Sequence, residues 1–371
     1  MPKVSGRAWA LVALGLVAGA ASLGAGAALW ARSYLRTPAG GAAQTTLDVS
    51  RGATLRPVLD ELARRQVLRH PSALYLLARW RHRTKVGVGR YEVSAEHSPA
   101  AILQMLNEGR VLMEDVTLAE GLNRWQVRKI LVQAAWMTEA EFDGLCDDTA
   151  FLARHQVAGP SCEGYLFPDT YKFARGQSAA SILERMFSAF KRQFHQVTAA
   201  SGFGPLSLGE REFTTLAAIV EKETAAVGER ARIACVFYNR LRARPPWKLQ
   251  TDPTVIYAAT LADKHFDGNL TRRHLHQLDS PYNTYRVEGL PPGPIANPGR
   301  AALAAVAQPA LCKDYFFVSN NKGEHIFCPT LQCHAQAVDT WQVEYFRRRK
   351  ARAAPAKPRH HHPRHPHHER P

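Results

Sequence analysis

Leu216-Ala217-Ala218-Ile219-Val220-Glu221-Lys222-Glu223-Thr224-Ala225-Ala226-Val227, residues 216–227, is the stretch that decides how the larger part of this chain is read. Apolar residues at 216, 219, 220 and 227 recur at helical spacing, which predicts a buried helix within a longer one over about 208–226. Glu223 falls on that same face. A carboxyl on a stripe of Leu, Ile and Val loses hydration, so its pKa rises and it keeps a proton near neutrality. That is what a general acid requires. Glu221 falls on a different face, beside Ala217, Ala218 and Ala225, and reads as a support or a solvated charge. The competing reading of Glu223 is a structural ion pair with Arg230 or Arg232.

Working outward, a long helix is expected over about 179–199 and another over 229–241. Cys235 sits in the apolar pattern of the latter and reads as a buried thiol. Glu163 to Phe173 is aromatic and turn-rich, and reads as a groove wall more than a regular element. Proline and glycine over 289–294 predict an ordered loop. Tyr315–Val318 and His325–Phe327 flank Asn320-Asn321-Lys322-Gly323 as a hairpin. Further toward the N-terminus, Thr46–Val49 reads as a strand, Leu55–Leu68 and Ser72–Arg83 as helices, and Gly89–Val93 as a returning strand. This strand–helix–helix–strand order is the outline of a LysM-like module, a binder of GlcNAc-containing glycans, and equally of a plain α+β spacer. The expected fold class is α+β: a transmembrane helix, a LysM-like βααβ module and a mixed α+β catalytic domain. The expected boundaries are a stub and anchor at 1–36, a linker at 37–44, the module at 45–110, the catalytic domain at 111–346 and a tail at 347–371.

Ala8 to Ala31 is an uncharged run of 24 residues between Arg7 and Arg32, with Trp9 and Trp30 near its ends. As a helix it would span roughly 36 Å, enough for a hydrocarbon core of ~30 Å. Tryptophan at both edges fits the membrane interface. A cleaved signal peptide is the alternative, although its apolar core would run only about 7–15 residues. Lys3 and Arg7 suit a cytoplasmic start, with Arg32 and Arg36 weakening the asymmetry. The net charge is +16, and the segment from Arg347 holds nine Lys/Arg against one acid, with six histidines. Such a tail is expected to be solvated and disordered, touching anionic lipid or wall polymer. Charge concentrated in a tail of an exported chain disfavours nucleic acid as a partner. The six cysteines show no CxxC spacing, so a zinc ribbon is disfavoured. Cys146 with Cys162, and Cys312 with Cys328 or Cys333, are candidate disulfides in an oxidising compartment.

Several stretches together resemble the YceG-like family, the MltG-type endolytic murein transglycosylases. They are Glu163-Gly164-Tyr165-Leu166-Phe167-Pro168-Asp169-Thr170-Tyr171, Ile219 to Thr224, Val236 to Leu241, Leu249 to Tyr257, and Ser280 to Tyr285 running into Gly289 to Gly299. The loop 243–248 departs from the family pattern, and the His-rich tail is extra. The resemblance implies that Glu223 is catalytic, giving a proton to the glycosidic oxygen between MurNAc and GlcNAc. It would then act as base on the MurNAc C6 hydroxyl, closing a 1,6-anhydro ring. Two-carboxylate glycosidases need a nucleophile or an activated water, and an internal hydroxyl removes that need. Glu221 would support Glu223. Gln250, Asp252, Asn283, Tyr285 and Tyr165 are expected to line the sugar cleft, with loop hydrogen bonds or packing as the competing role. The implied partners are peptidoglycan strands, the inner membrane through one helix, and peptidoglycan synthases, with the catalytic domain on the periplasmic side. No metal or organic cofactor is expected. The rival classes are a non-catalytic glycan-binding scaffold and a muramidase-type hydrolase.

Overall fold

The computed structural model describes residues 6–40 and 43–347. Helix α1 spans Gly6–Arg36, and strand β1, Gln44–Val49, follows it. Helices α2 (Leu55–Arg64) and α3 (Pro71–Trp80) lead to β2 (Gly89–Ser94) and α4 (Pro99–Glu108). Strand β3 (Met113–Thr117) precedes α5 (Arg124–Gln133), α6 (Glu139–Cys146), α7 (Thr149–Arg154) and β4 (Thr170–Ala174). Then come α8 (Ala179–Ser201), α9 (Glu210–Glu223), α10 (Arg230–Arg242), α11 (Asp252–Ala262), α12 (Arg272–Gln277) and α13 (Arg300–Ala307). Strands β5 (Phe316–Ser319) and β6 (His325–Cys328) and helix α14 (Leu331–Val338) complete the regular elements, before a π-helical turn over Asp339–Glu344. The fold is mixed α+β, and its sheets are three separate antiparallel pairs, β1–β2, β3–β4 and β5–β6.

The chain divides into two compact units. The first comprises residues through Ala119 with Trp125–Leu145 and Asp169–Met186. Its core is built where β1 and β2 pair from Gln44↔Ser94 to Val49↔Gly89 and cover α2, α3 and α4. Leu55, Val58, Leu59 and Leu62 form the buried stripe of α2, and Ser98 caps α4 by accepting the Ala101 N–H. The last turn of α1 belongs to this core, for Tyr34 and Leu35 are buried in it. The Tyr34 hydroxyl donates to the Arg69 carbonyl at 2.6 Å. Among the described residues, α1 supplies the one helix long and apolar enough to cross a membrane, Ala13–Arg36. Strand β4 pairs with β3 from Met113↔Ala174 to Thr117↔Thr170. Thr170–Ala174 is therefore a regular strand, against the expectation of a turn-rich wall, because Tyr171 and Phe173 alternate into the core with Val116.

The second unit comprises Glu120–Arg124, Cys146–Pro168 and the chain from Phe187. Helix α9 runs through its centre, packed by α10, α11 and α13. Phe213 to Glu221 are all buried, so the helix is enclosed on every side instead of showing one apolar stripe. It ends at Glu223, since Thr224 turns extended at φ −144° and ψ 138°. The expected continuation to 226 does not form, and Val227, predicted on the buried face, is 62% exposed in a short 3-10 turn. Gly164 has φ +89°, and an added Cβ would stand 2.5 Å from Pro294, so only glycine fits there. Cys146–Cys162, Cys235–Cys312 and Cys328–Cys333 are disulfides. Cys235 is thus not a buried thiol, and Cys312 pairs with neither expected partner. Helical pattern carried no information about which distant loop returns to α10. The basic, His-rich tail beyond Arg347 lies outside the described residues.

Candidate active site

The end of α9 delivers Glu223 to the floor of a cavity of about 420 Å³ in the second unit. Arg240 of α10, Gln250, Asp252 at the start of α11, and Tyr285 line it. Phe316 and Phe317 of β5 and Leu331 and His334 of α14 complete the lining, with the Arg240 guanidinium over the Phe316 ring at 5.6 Å. Burial in this setting raises the Glu223 carboxyl from 4.5 to about 7. The negative charge of Asp252 adds to the rise, while the Thr251 hydroxyl and the Arg240 charge oppose it. A carboxylate at the C-terminal end of a helix also meets the negative pole of the backbone dipoles.

Thr251 donates its hydroxyl to Glu223 Oε1. Thr251 is itself fixed from both backbone sides: its N–H donates to Thr284 Oγ1 at 3.1 Å, and its carbonyl accepts from Thr254 Oγ1 at 2.8 Å. Thr251, Thr254 and Thr284 are all buried, giving a small polar cluster beneath the acid. Arg240 is held by its Nε–H to the Tyr315 carbonyl at 2.8 Å and by a second bond to the Leu249 carbonyl. From that position it acts on Glu223 through its charge.

Glu221, two residues earlier, has a different environment. Its Oε1 accepts from Arg230 Nη2 at 2.6 Å and its Oε2 accepts the Gly299 N–H at 3.0 Å. Glu221 is therefore buried and ties α9 to α10 and to the start of α13. The structural ion pair weighed for Glu223 is made by Glu221 with Arg230, and Arg232 pairs instead with Asp314 at 2.7 Å. Helix α9 is enclosed on all sides, which buries the face that the sequence left to small residues.

Of the five residues expected to line the cleft, Gln250, Asp252 and Tyr285 are at the cavity and two are not. The Tyr285 hydroxyl donates to Asp252 Oδ1 at 2.6 Å. Gln250 adopts φ +48°, and its N–H donates to the Thr284 carbonyl at 3.1 Å. Asn283 is fully buried, and its amide donates to the carbonyls of His274, Leu275 and Leu278 at the end of α12. Tyr165 is 1% exposed, stacks edge-on against Phe190 with centroids 4.8 Å apart, and donates to the Ala158 carbonyl at 3.1 Å. Both serve packing and loop geometry, the competing role open to them from the start.

The sequence reading missed Thr251, Arg240, Phe316 and His334. His334 stacks on Phe316 at 5.2 Å, and its buried Nδ1 has no hydrogen-bond partner among the described residues. Burial, assisted by the Arg240 charge, holds its imidazole below the ordinary value, toward the neutral form. The divergent loop also proves to support this wall, because Trp247 packs on Tyr315 and Phe316 with centroids 5.0 and 5.7 Å away. A second buried carboxyl, Glu163, is raised to about 7 by burial. It accepts the Arg124 N–H at 3.1 Å and the Tyr257 hydroxyl at 3.2 Å, away from the cavity lining. Among the described residues no group of His, Cys, Asp and Glu is arranged to hold a metal ion.

The model of the YceG-like family matches residues 47–340. The chain belongs to the YceG-like family. It is 29% identical over 335 residues to the endolytic murein transglycosylase of Bacillus subtilis, covering 85% of this chain and 90% of that protein. The endolytic murein transglycosylase of Streptococcus pneumoniae serotype 2 is 24% identical over 309 residues, covering 74% of this chain and 54% of the relative's length. Among solved structures, the 2.6 Å crystal structure of a YceG-like protein from Listeria monocytogenes superposes with a TM-score of 0.52 at 28% identity. That match covers 80% of this chain and all of the other.

Proposed function

We propose that this YceG-like protein is a membrane-anchored lytic transglycosylase that cuts peptidoglycan strands internally between MurNAc and GlcNAc and leaves 1,6-anhydro-MurNAc ends. The observation that carries the reading is Glu223, a cavity carboxyl that titrates near 7. A group with that value is populated in both protonation states at neutral pH, and the reaction uses both. Protonated Glu223 gives its proton to the glycosidic oxygen as the bond from that oxygen to MurNAc C1 breaks. The resulting carboxylate then takes the proton of the MurNAc C6 hydroxyl as its oxygen bonds to C1, and Glu223 ends protonated again. The Thr251 hydroxyl and the Arg240 charge stabilise the carboxylate between those steps. Gln250, Asp252 and Tyr285 contact the sugars, and Glu221 is the support.

In the same reading α1 is a retained single-pass anchor in the cytoplasmic membrane, with Lys3 and Arg7 inside and the catalytic part on the periplasmic side. The βααβ region is LysM-like and holds GlcNAc-containing strands ahead of the catalytic domain of 111–346. Synthases of those strands are the partners. A hydrolytic, muramidase-type reading has one observation in its favour, since Asp252 supplies a second carboxyl at the cavity. Mass spectrometry of peptidoglycan digested by the purified protein, beside Glu223→Gln, separates the readings. Anhydro ends from the parent and none from the variant support the proposal. Reducing ends turn it to a hydrolase, and intact strands turn it to a binding scaffold.

A further inference from the structure

Helix α1 does not leave the membrane through a free tether. Tyr34 and Leu35 are locked into the core of the first unit, and Trp30 stacks on Tyr34 with centroids 5.3 Å apart. This fixes the height of everything packed on the outer turns of α1. His70, at the N-terminus of α3, meets Trp30 at 6.2 Å and Tyr34 at 6.0 Å. Near the other end of α3, Leu77, Trp80 and Arg81 share a groove of about 710 Å³ with α1 residues from Ala27 to Arg36. Both ends of α3 therefore stand at the level of the last turns of α1, where an anchor passes from hydrocarbon to headgroups.

The outer face of α3 has the composition that such a position demands. Leu74 and Ala78 turn into the core, whereas Leu76 and Trp80, one turn apart, are 63% and 76% exposed. Tryptophan and leucine on an outward face are costly in water and suited to the interfacial layer. Beside them Arg32, Arg36, Arg79 and Arg81 are all exposed, and none enters an ion pair among the described residues. Four cations outside ion pairs beside an apolar pair match a layer of anionic phosphates.

We propose that α3 is a second membrane contact: Trp80 and Leu76 enter the interfacial layer beside α1, and the surrounding arginines bind anionic phospholipid headgroups. The inference rests on α1 being a membrane span. The βααβ region is then seated on the bilayer, and the unit it belongs to cannot swing freely about its anchor.

The test uses the full chain in nanodiscs of mixed zwitterionic and anionic phospholipid, with a benzophenone amino acid placed in turn at Leu23, Trp80 and Arg110. Leu23 lies within the span. Arg110 follows the C-terminal end of α4, a helix whose N-terminal Ala100 lines the groove, and so lies ~15 Å away from it. Lipid adducts at Leu23 and Trp80, absent at Arg110 and enriched several-fold on the anionic lipid at Trp80, are the expected result. Arg79→Glu with Arg81→Glu should then cut the anionic adducts at Trp80 by roughly tenfold or more. Adducts at Leu23 without adducts at Trp80 overturn the docking and leave the anchor standing. No adducts at Leu23 remove the anchor and this inference together. Adducts at Trp80 in proportion to lipid abundance overturn the headgroup assignment.

Discussion

Thr251→Val is the most direct probe of how Glu223 is tuned. The substitution keeps shape and removes one hydroxyl, the donor to Glu223 Oε1. The backbone bonds of Thr251 to Thr284 and Thr254 do not use that hydroxyl and should persist. A hydrogen bond to a charged acceptor contributes ~1.5–3 kcal/mol. It favours the carboxylate over the acid, and one pKa unit corresponds to ~1.4 kcal/mol, so its loss should raise Glu223 by about 1–2 units. In the parent, Glu223 titrates near 7, and as the acid it is lost when pH rises through that value. The alkaline limb of kcat/KM should therefore move upward by about 1–2 units in Thr251→Val. At pH 7 turnover should fall, because a more basic carboxylate leaves less of the ionised form stabilised after proton donation. The assay is the rate of anhydro-muropeptide release, by mass spectrometry, from pH 5 to 10. A limb that stays in place, or moves to lower pH, refutes the reasoning: the titrating group would not be Glu223, or the hydroxyl would not stabilise its charge.

Other expectations follow from the same geometry. Glu223 binds its proton more tightly folded, near 7, than at its ordinary 4.5, so stability declines as pH rises between those values, by at most ~3 kcal/mol and less because the carboxyl partly faces the cavity. Glu223→Gln should thus melt above the parent at pH 8 and level with it at pH 4, and equal melting at both would contradict the burial argument. Glu221→Gln leaves Arg230 with Glu120 at 3.4 Å as its remaining partner, and should cost ~3 kcal/mol in denaturant unfolding while anhydro ends persist. Loss of cleavage by a variant still folded would make Glu221 more than a support. Cys235→Ser with Cys312→Ser opens a bridge of sequence separation 77 and should cost ~2–4 kcal/mol; an unchanged unfolding midpoint would count against it. His334→Phe retains a ring against Phe316 and deletes both nitrogens, with an expected rise of roughly tenfold in KM. An unchanged KM would mean that the imidazole only packs.

Local pattern made parts of this molecule legible. The apolar run of α1, the βααβ order over 44–94 and the hairpin around Asn320–Gly323 all depend on near neighbours, and each formed as expected. Glu223 was legible twice, from its place among Leu216, Ile219 and Val220 and from the Glu-Lys-Glu-Thr motif. What such patterns could not show was which groups meet it. Thr251, Arg240, Phe316 and His334 lie 28, 17, 93 and 111 positions along the chain. Arg240 and Thr251 lie inside family-like stretches, yet nothing local shows that they meet Glu223, and Phe316 and His334 look like a core aromatic and a helix histidine. Glu221 shows the same limit, for its burial comes from α10 and α13 closing over a face that looked suited to solvent. Asn283 and Tyr165 show the converse, being polar residues in family-like loops whose hydrogen bonds are spent inside the fold. The sequence by itself determined most of the secondary elements and singled out Glu223 as the candidate acid, because helix spacing and side-chain chemistry are local properties. Only the tertiary structure decided which of two nearby glutamates is paired, which disulfides close, and which side chains surround the acid, because desolvation and hydrogen bonding depend on whatever segments packing brings together.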